Sequence, residues 1–448
     1  MKRNKRSSRG HHPAWVRTCF TALGLSAAAS AVAQPVFVSP PSPPAPRTSA
    51  SSSDSAEDGE GGLLAGIGES FSPGLPFAWR KLVFRPSVSY GFTYGNGLRA
   101  SSQRLVSTNL VVNGTNIFAS LSTNRAPSSE TIVQTISPGM SVDIGDQWDF
   151  NYTPSITLYS NSDFEDTVNH SARLSGGTTY EDWTFGLNLN TALASRPETE
   201  TGAQTKQQSY GANLKVERQL NRDFSFDLSA GINFRFAESF TSRRNYTTMN
   251  WLNQQLTPNF GVGVGVGAGL EDVGTGVDMV YLKNLGRINW QFTQKLDLSL
   301  NGGVETREFL DSDRPTSMSP TYGISLSYNP FILTTVTLNG SRSVSASFFQ
   351  NQVNETTTLR LGLHQRFLKH FNAGLSVSYG VSTYESSTGA NVTTTREDSH
   401  TSFTASLGTS FLKRASASVF YSISDNVSDR TGFDYSSTQI GFQMSFGY

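Results

Sequence analysis

The feature that most restricts this chain is a two-residue alternation sustained through long segments. In "FSFDLSAGINFRF", Phe224, Phe226, Leu228, Ala230, Ile232, Phe234 and Phe236 fall on one parity, and Ser225, Asp227, Ser229, Gly231, Asn233 and Arg235 on the other. A helix would scatter those rings around its axis, whereas a strand gathers them on one face. The same texture recurs in "WDFNYTPSITLYS", "WTFGLNLNTALAS", "NAGLSVSYGVSTY" and "HTSFTASLGTSFL". These runs exceed the usual globular strand of about five or six residues and suffice to cross a bilayer when tilted.

Composition agrees. Only 36% of residues are hydrophobic and the mean hydropathy is −0.32. No apolar stretch reaches the length of a membrane helix, about 18 residues. A barrel keeps its apolar side chains at alternate positions, so its average stays polar. Connections fall into two kinds by turns: tight ones such as "GDQ" at 145–147, "EDW" at 181–183, "TQK" at 293–295 and "KHF" at 369–371, and longer polar ones such as "RPETETGAQT" and "DSDRPTSMSP". That asymmetry belongs to an antiparallel up-and-down transmembrane β-barrel, with Trp148 and Trp183 opening strands beside tight turns as interfacial rings. Strands are expected to begin near 82, 131, 148, 167, 183, 206, 223, 245, 260, 278, 295, 320, 334, 355, 372, 400, 415 and 435, about 18 in all. The alternative is 16, because "NYTTMNWLNQQL" alternates poorly. Either number is even, which keeps both ends of the barrel on the periplasmic side. Asn113-Gly114 between apolar runs predicts an extra hairpin in the first long loop.

The chain ends divide it further. Lys2, Arg3, Lys5, Arg6, Arg9 and Arg17 precede "TCFTALGLSAAASAVA", which reads as a secretory signal peptide over 1–33, cleaved before Gln34. Residues 34–80 are Pro- and Ser-rich, then acidic, and are expected to form a disordered periplasmic tether; 81–448 is the barrel. The whole chain carries 35 basic and 35 acidic residues; removing the six in the signal leaves 29 against 35, near −6. A mildly acidic chain is a poor partner for nucleic acid. Cys19 lies within the signal, so disulfides and thiolate metal sites are excluded from the mature chain.

The last strand places Ile440, Phe442, Met444, Phe446 and Tyr448 on one face. An apolar strand closing on an aromatic is similar to the C-terminal targeting signal of bacterial outer-membrane barrels, which implies outer-membrane lipid and the barrel assembly machinery as partners. Opposite parities give pore-lining candidates Arg85, Arg173, Lys215, Arg235, Lys283, Arg287, Arg307, Arg360 and Arg366, with Asp143, Glu217, Asp227, Asp297 and Glu305. Two readings stand: the charges pair across strands and solvate the wall, or they favour anions or acidic glycans in a conduit. Gly261, Gly263, Gly265, Gly267 and Gly269 form an inward strip that either tolerates curvature or lets an inserted loop approach the wall.

His170, His364, His370 and His400 are scattered without a nucleophile and acid in any recognisable spacing, so no catalytic site is expected. Asp163, Glu165 and Asp166 lack the spacing of a calcium loop. No metal and no cofactor are expected.

The stretches "FRPSVSYGFTYGNG", "ISPGMSVDIGDQWDFNYTPSITLYSNSDFEDTVNHSARLSGG" and "LNGSRSVSASFFQNQVNETTTLRLGLHQRFLKHFNAGLSVSYG" together resemble the β-barrel porin family of bacterial outer membranes associated with exopolysaccharide export. The resemblance is one of texture over 82–448 and carries no residue across. It implies a Gram-negative outer-membrane protein acting as a passive, porin-like conduit, with polysaccharide or small anionic solutes as cargo. The alternative is a closed structural or adhesive barrel that binds partners through its extracellular loops.

Overall fold

The computed structural model describes residues 77–79, 82–96, 107–112, 115–120, 130–198, 200–201, 203–368, 370–389, 391, 394–411 and 414–447. The expected signal peptide, nearly all of the tether, and Tyr448 lie outside them.

Eighteen strands form one closed antiparallel wall. They are β1 (Leu82–Asn96), β2 (Thr131–Ile144), β3 (Trp148–Tyr159), β4 (Thr167–Tyr180), β5 (Trp183–Glu198), β6 (Ala203–Gln219), β7 (Phe224–Ala237), β8 (Arg243–Thr257) and β9 (Phe260–Val273). The wall continues with β10 (Met279–Thr293), β11 (Leu296–Phe309), β12 (Ser317–Phe331), β13 (Thr334–Ala346), β14 (Gln352–Phe367), β15 (Phe371–Ser386), β16 (Thr394–Phe411), β17 (Ala415–Ser428) and β18 (Tyr435–Gly447). Each pairs with its sequence neighbours, and β1 closes the ring by pairing with both β2 and β18. Closure leaves no sheet edge around the circumference. The short strand Phe77–Trp79 adds to the start of β1. Ser107–Val112 and Thr115–Ser120 pair with each other as a separate two-stranded antiparallel sheet, as the expected hairpin requires, while Asn113 and Gly114 lie outside the described residues.

β8 settles the count at 18 rather than 16, since Arg243–Thr257 pairs along its length with both β7 and β9. It alternates poorly because its inward face carries Met249 and Trp251, both buried, while Asn250 and Gln254 face outward.

The two rims differ. One is closed by turns of two to four residues, and the other by loops of four to seven plus the long 97–130 segment. In the turn Glu181–Asp182, Glu181 takes φ 51°, the left-handed geometry that a two-residue hairpin demands. The expected long loop "RPETETGAQT" shrinks to 199–202, because β5 runs on to Glu198 and β6 begins at Ala203.

The outer face carries the apolar parity. Val88, Ile136, Ile156, Leu189, Leu361, Val377, Phe403 and Ile440 stand exposed there, an arrangement that only a nonaqueous surrounding makes favourable. Aromatic pairs mark the turn rim: Phe260 against Trp290, Trp290 against Phe292, and Phe367 against Phe371.

Candidate lumen site and its constricted mouth

The interior is divided in two by chemistry. On β12 to β16 the inward residues are small and hydroxylated: Ser325, Ser341, Thr358, Ser378 and Ser402. On β8, β10 and β11 they include the large or charged Trp251, Tyr281, Lys283, Arg287, Glu305 and Arg307, and the glycine strip of β9 explains how they fit. A Cβ on Gly265 would lie 2.5 Å from Met249 and 2.6 Å from Trp251, and one on Gly269 would lie 2.2 Å from the Tyr281 ring. The strip is a bed on which side chains of β8 and β10 lie. Arg287 stacks over Trp251 at 4.6 Å, donates to Asn253 at 2.6 Å and pairs with Asp227.

Between these walls lies a cavity of about 930 Å³. Its lining includes Arg196, Arg235, Arg243, Lys283, Arg307 and Arg360 and no carboxylate side chain among the described residues. The carboxylates that balance some of these cations sit behind them. Glu271 is 1% exposed and pairs with Arg243 at 3.1 Å and Arg307 at 2.7 Å; Glu305, equally buried, pairs with Arg307 at 2.6 Å and Lys283 at 3.2 Å.

The roof of the cavity is the tip of the β13–β14 hairpin. Pairing between β12 and β13 stops at Tyr322↔Arg342, whereas β13–β14 continues to Ala346↔Val353 and β14–β15 to Gln352↔Ser386. Above that level the tip leaves the wall and tucks inside. Its formerly outward Ala346 and Val353 pack against the inward Val273, Met279 and Phe309 of β9 to β11. Pro320 lies in the stretch of β12 that the departing β13 leaves unpaired, where a missing N–H costs no bond on that side.

The exposed edge of β13 is satisfied by charge. The Ala346 N–H donates to Glu271 at 2.9 Å, and Arg307 donates to the Val344 carbonyl at 3.1 Å. Farther out, Ser347 and the Phe348 N–H both donate to Glu200, and Arg235 stacks 3.7 Å from the Phe348 ring while donating to the Ser347 carbonyl. Thr241 N–H caps the Phe348 carbonyl, and Phe240 meets Phe348 and Phe349 edge-on. Arg396 stacks on Tyr384 and Phe433 and donates to the Glu200 carbonyl. At the base of the tip, Glu355 accepts from Ser319 at 2.5 Å and Arg342 at 2.6 Å. Behind it, loop 310–316 straps across to β15: Ser312 donates to the Ser387 carbonyl, and Arg314 to Glu385 and the Ser386 carbonyl. Loops from opposite sides of the barrel thus meet over the lumen.

The sequence candidates separate accordingly. Arg235, Lys283, Arg307 and Arg360 line the cavity. Arg85 pairs with Asp143 and Arg287 with Asp227 across strands, and Lys215 pairs with Glu217 two residues along β6, the charge pairing that a solvated wall implies. Arg173 lies beside the Asn188 amide, and Asp297 and Arg366 sit near the turn rim. Arg196, Arg243, Glu271, Arg314, Arg342, Glu355, Arg396 and Asp398 were not among them. Glu271 continues the parity of the glycine strip by one step, so that signal was present. His170 meets the Tyr152 hydroxyl on the outer face, at 2.9 Å. Asp163, Glu165 and Asp166 lie in loop 160–166, where Lys206 reaches Glu165 at 3.4 Å.

No family model matches the sequence, and no curated protein matches it. Among solved structures, the outer membrane protein opdK from Pseudomonas aeruginosa is similar over 82% of this chain and 99% of its own, at 12% identity and a TM-score of 0.43. OccAB4 of Acinetobacter baumannii is similar over 82% and 98%, at 12% identity and 0.42. A bacterial polysaccharide outer membrane secretin is similar over 81% and 98%, at 7% identity and 0.32. These likenesses are too distant to carry weight beside the strand pairing itself.

Proposed function

We propose that the chain is a porin-like conduit of the Gram-negative outer membrane for anionic, polar solutes, narrowed at its outer mouth by the β13–β14 tip. The observation that carries this reading is the cavity lining, six cations and a dense array of hydroxyls and amides with no carboxylate among the described residues. Such a wall attracts anions and supplies hydrogen bonds in place of their hydration. The apolar outer face and the asymmetric rims support the membrane setting, with short turns in the periplasm and loops outside. An exported exopolysaccharide, which the sequence resemblance implies, is the cargo we favour over small solutes, and the cationic lining suits an acidic one.

The bridging of the loop rim favours a second reading, a closed structural or adhesive barrel. Single-channel recording in a planar bilayer separates them. The conduit reading expects discrete openings with a reversal potential displaced toward anions, and Arg360→Glu to shift it back toward zero. Arg360 is the informative position because Arg287 is already committed to Asp227 and Trp251. Folded protein that stays silent, alone and after the tip is released, would leave the closed reading.

A further inference from the structure

The tucked tip carries the alternation of a wall strand. In "SVSAS" at 343–347, Val344 and Ala346 continue the outward parity of Val336 and Leu338, while Ser343, Ser345 and Ser347 continue the inward parity of Ser341. Across the turn, Val353 pairs with Ala346 and keeps the outward parity of Leu359 and Leu361. A hairpin built only to fill the lumen has no need of a lipid-facing side. The inner wall has a matching exception: Val273, Met279 and Phe309 sit on the water-facing parity of β9 to β11, and Ala346 and Val353 pack against them. The same two side chains thus have two apolar seats, one inside the barrel and one in its outer belt.

The second seat is open. β12 is held by β11 as far as Ser317, through Val304↔Pro320, Thr306↔Met318 and Arg307↔Ser317, and its other edge has no paired strand beyond Tyr322. Met318 stands 72% exposed on the outward side of that edge. Continuing the register past Tyr322↔Arg342 sets Thr321 against Ser343, Pro320 against Val344, Ser319 against Ser345 and Met318 against Ala346. Each row then matches, hydroxyls inward and apolar groups outward.

The contacts that hold the tip inside are side-chain substitutes for this ladder, from Glu271 to the Ala346 N–H and from Arg307 to the Val344 carbonyl. A strap crosses the place the hairpin has left. Arg314, stacked 4.2 Å from the Phe309 ring, pairs with Glu385 at 2.7 Å, and Ser312 donates to the Ser387 carbonyl at 2.9 Å. In a wall that includes β13 and β14 over their full length, β12 and β15 stand three strands apart, about 14 Å, so the strap and a returned hairpin exclude each other.

We propose that the tip is a gate with two seats: tucked, it narrows the mouth, and once the strap lets go, residues 343–347 zip onto 317–321, complete the wall and clear the lumen. The gate rests on the conduit reading for its consequence, whereas the change of pairing is read without any current. The test uses the full chain with Cys19→Ser, carrying Met318→Cys with Ala346→Cys, in native membranes under a mild oxidant. Zipped, the two Cβ atoms are direct cross-strand neighbours, about 4.5–5.5 Å apart; tucked, one is buried in the inner cluster and the other exposed outside. Mass spectrometry of proteolytic fragments should find the disulfide, formed at least tenfold faster than with Met318→Cys and Val353→Cys, which the register places one strand farther on. Arg314→Gln should speed it again. The oxidised pair should hold a steady conductance above that of the wild type, and a reductant should reverse it. A disulfide in a barrel that is silent in both states would support the re-pairing and remove the conduit reading, whereas a disulfide in a channel whose conductance does not change would overturn the gate. So would equal oxidation with Val353→Cys, or no 318–346 disulfide even with Arg314→Gln in protein whose mobility shift on boiling shows it folded.

Discussion

At the turn rim neighbouring strands end together, joined by two to four residues, and the groups that finish them are aromatic rings facing outward. At the loop rim the same strands carry buried carboxylates and guanidinium groups facing inward, and two of them leave the wall to close over the lumen. The first rim is held by ladder pairing and by its surroundings; the second is held by a few charged side chains standing in for ladder bonds that the tuck of β13 removed. A ladder has no alternative state of comparable energy, but an edge satisfied by side chains does. The loop rim is therefore where a conduit would change, and the turn rim is where it would not.

The largest expected effect breaks the second rim. Glu271→Ala strips the Ala346 N–H of its acceptor and leaves Arg243 and Arg307 short of a counterion in a buried site. Removing one partner of a buried pair costs about 3–5 kcal/mol, here charged against the tucked tip. Limited proteolysis should cut within 347–351 in the variant and not in the wild type, and single-channel conductance should rise. An uncut tip would mean that Glu200 and Arg235 hold it alone. Next comes Gly269→Val, which forces a side chain into the Tyr281 ring; overpacking of this kind costs about 1–3 kcal/mol. The midpoint of refolding from urea should fall accordingly, whereas Gly186→Ala, whose nearest neighbour is 3.9 Å away, should leave it unchanged. Equal tolerance of both substitutions would return the strip to a role in curvature.

How much of this was legible in the sequence follows the same division. Strands that begin at the turn rim start within one residue of where alternation places them: Trp148, Trp183, Phe224, Phe260, Leu296, Thr334, Phe371 and Ala415. Tight turns and apolar parity coincide there. At the loop rim several strands begin two to six residues earlier than read, Arg243, Ser317, Gln352 and Thr394 among them. The backbone keeps its ladder after the outward residues have stopped being apolar, so hydropathy falls silent while the strand continues. Arg243, Arg396 and Asp398 belong to those overlooked turns of alternation, which is why half of the mouth was invisible. Glu200, Phe348 and Phe349 sit in loops, and nothing local says that loops on opposite sides of a barrel will meet. The tuck of β13 had one faint mark, Pro320 near the loop-rim end of a wall strand, and its meaning depends on which neighbour has gone.

A smaller effect is expected from Phe348→Ala, which removes the ring beneath Arg235 and leaves the hydrogen bonds from the Phe348 N–H and the Ser347 hydroxyl to Glu200 in place. A desolvated cation–π contact contributes about 2 kcal/mol. The tip should therefore loosen without leaving, seen as faster flicker between conductance levels and not as a new steady level.

The smallest effect on stability belongs to the turn rim, where Phe446 faces outward one step from the end of β18, opposite Val88 and Ala415. A charge on the lipid face is costly at the midplane, but near the interface it costs only about 0–1 kcal/mol, so Phe446→Asp should scarcely move the refolding midpoint of the purified barrel. Assembly in the cell is a separate matter. If Ile440, Phe442, Met444, Phe446 and Tyr448 form the signal by which the strand is delivered to the assembly machinery, the same substitution should leave the chain in the periplasm, and Val88→Asp, equally lipid-facing on the paired strand, should not. The two positions share a ladder row and a depth, so any difference between them in vivo measures recognition of the last strand and not the energetics of the finished rim. Normal insertion of the Phe446 variant, or equal failure of both, would remove the signal from this strand and leave its aromatic face as part of the lipid-facing wall alone.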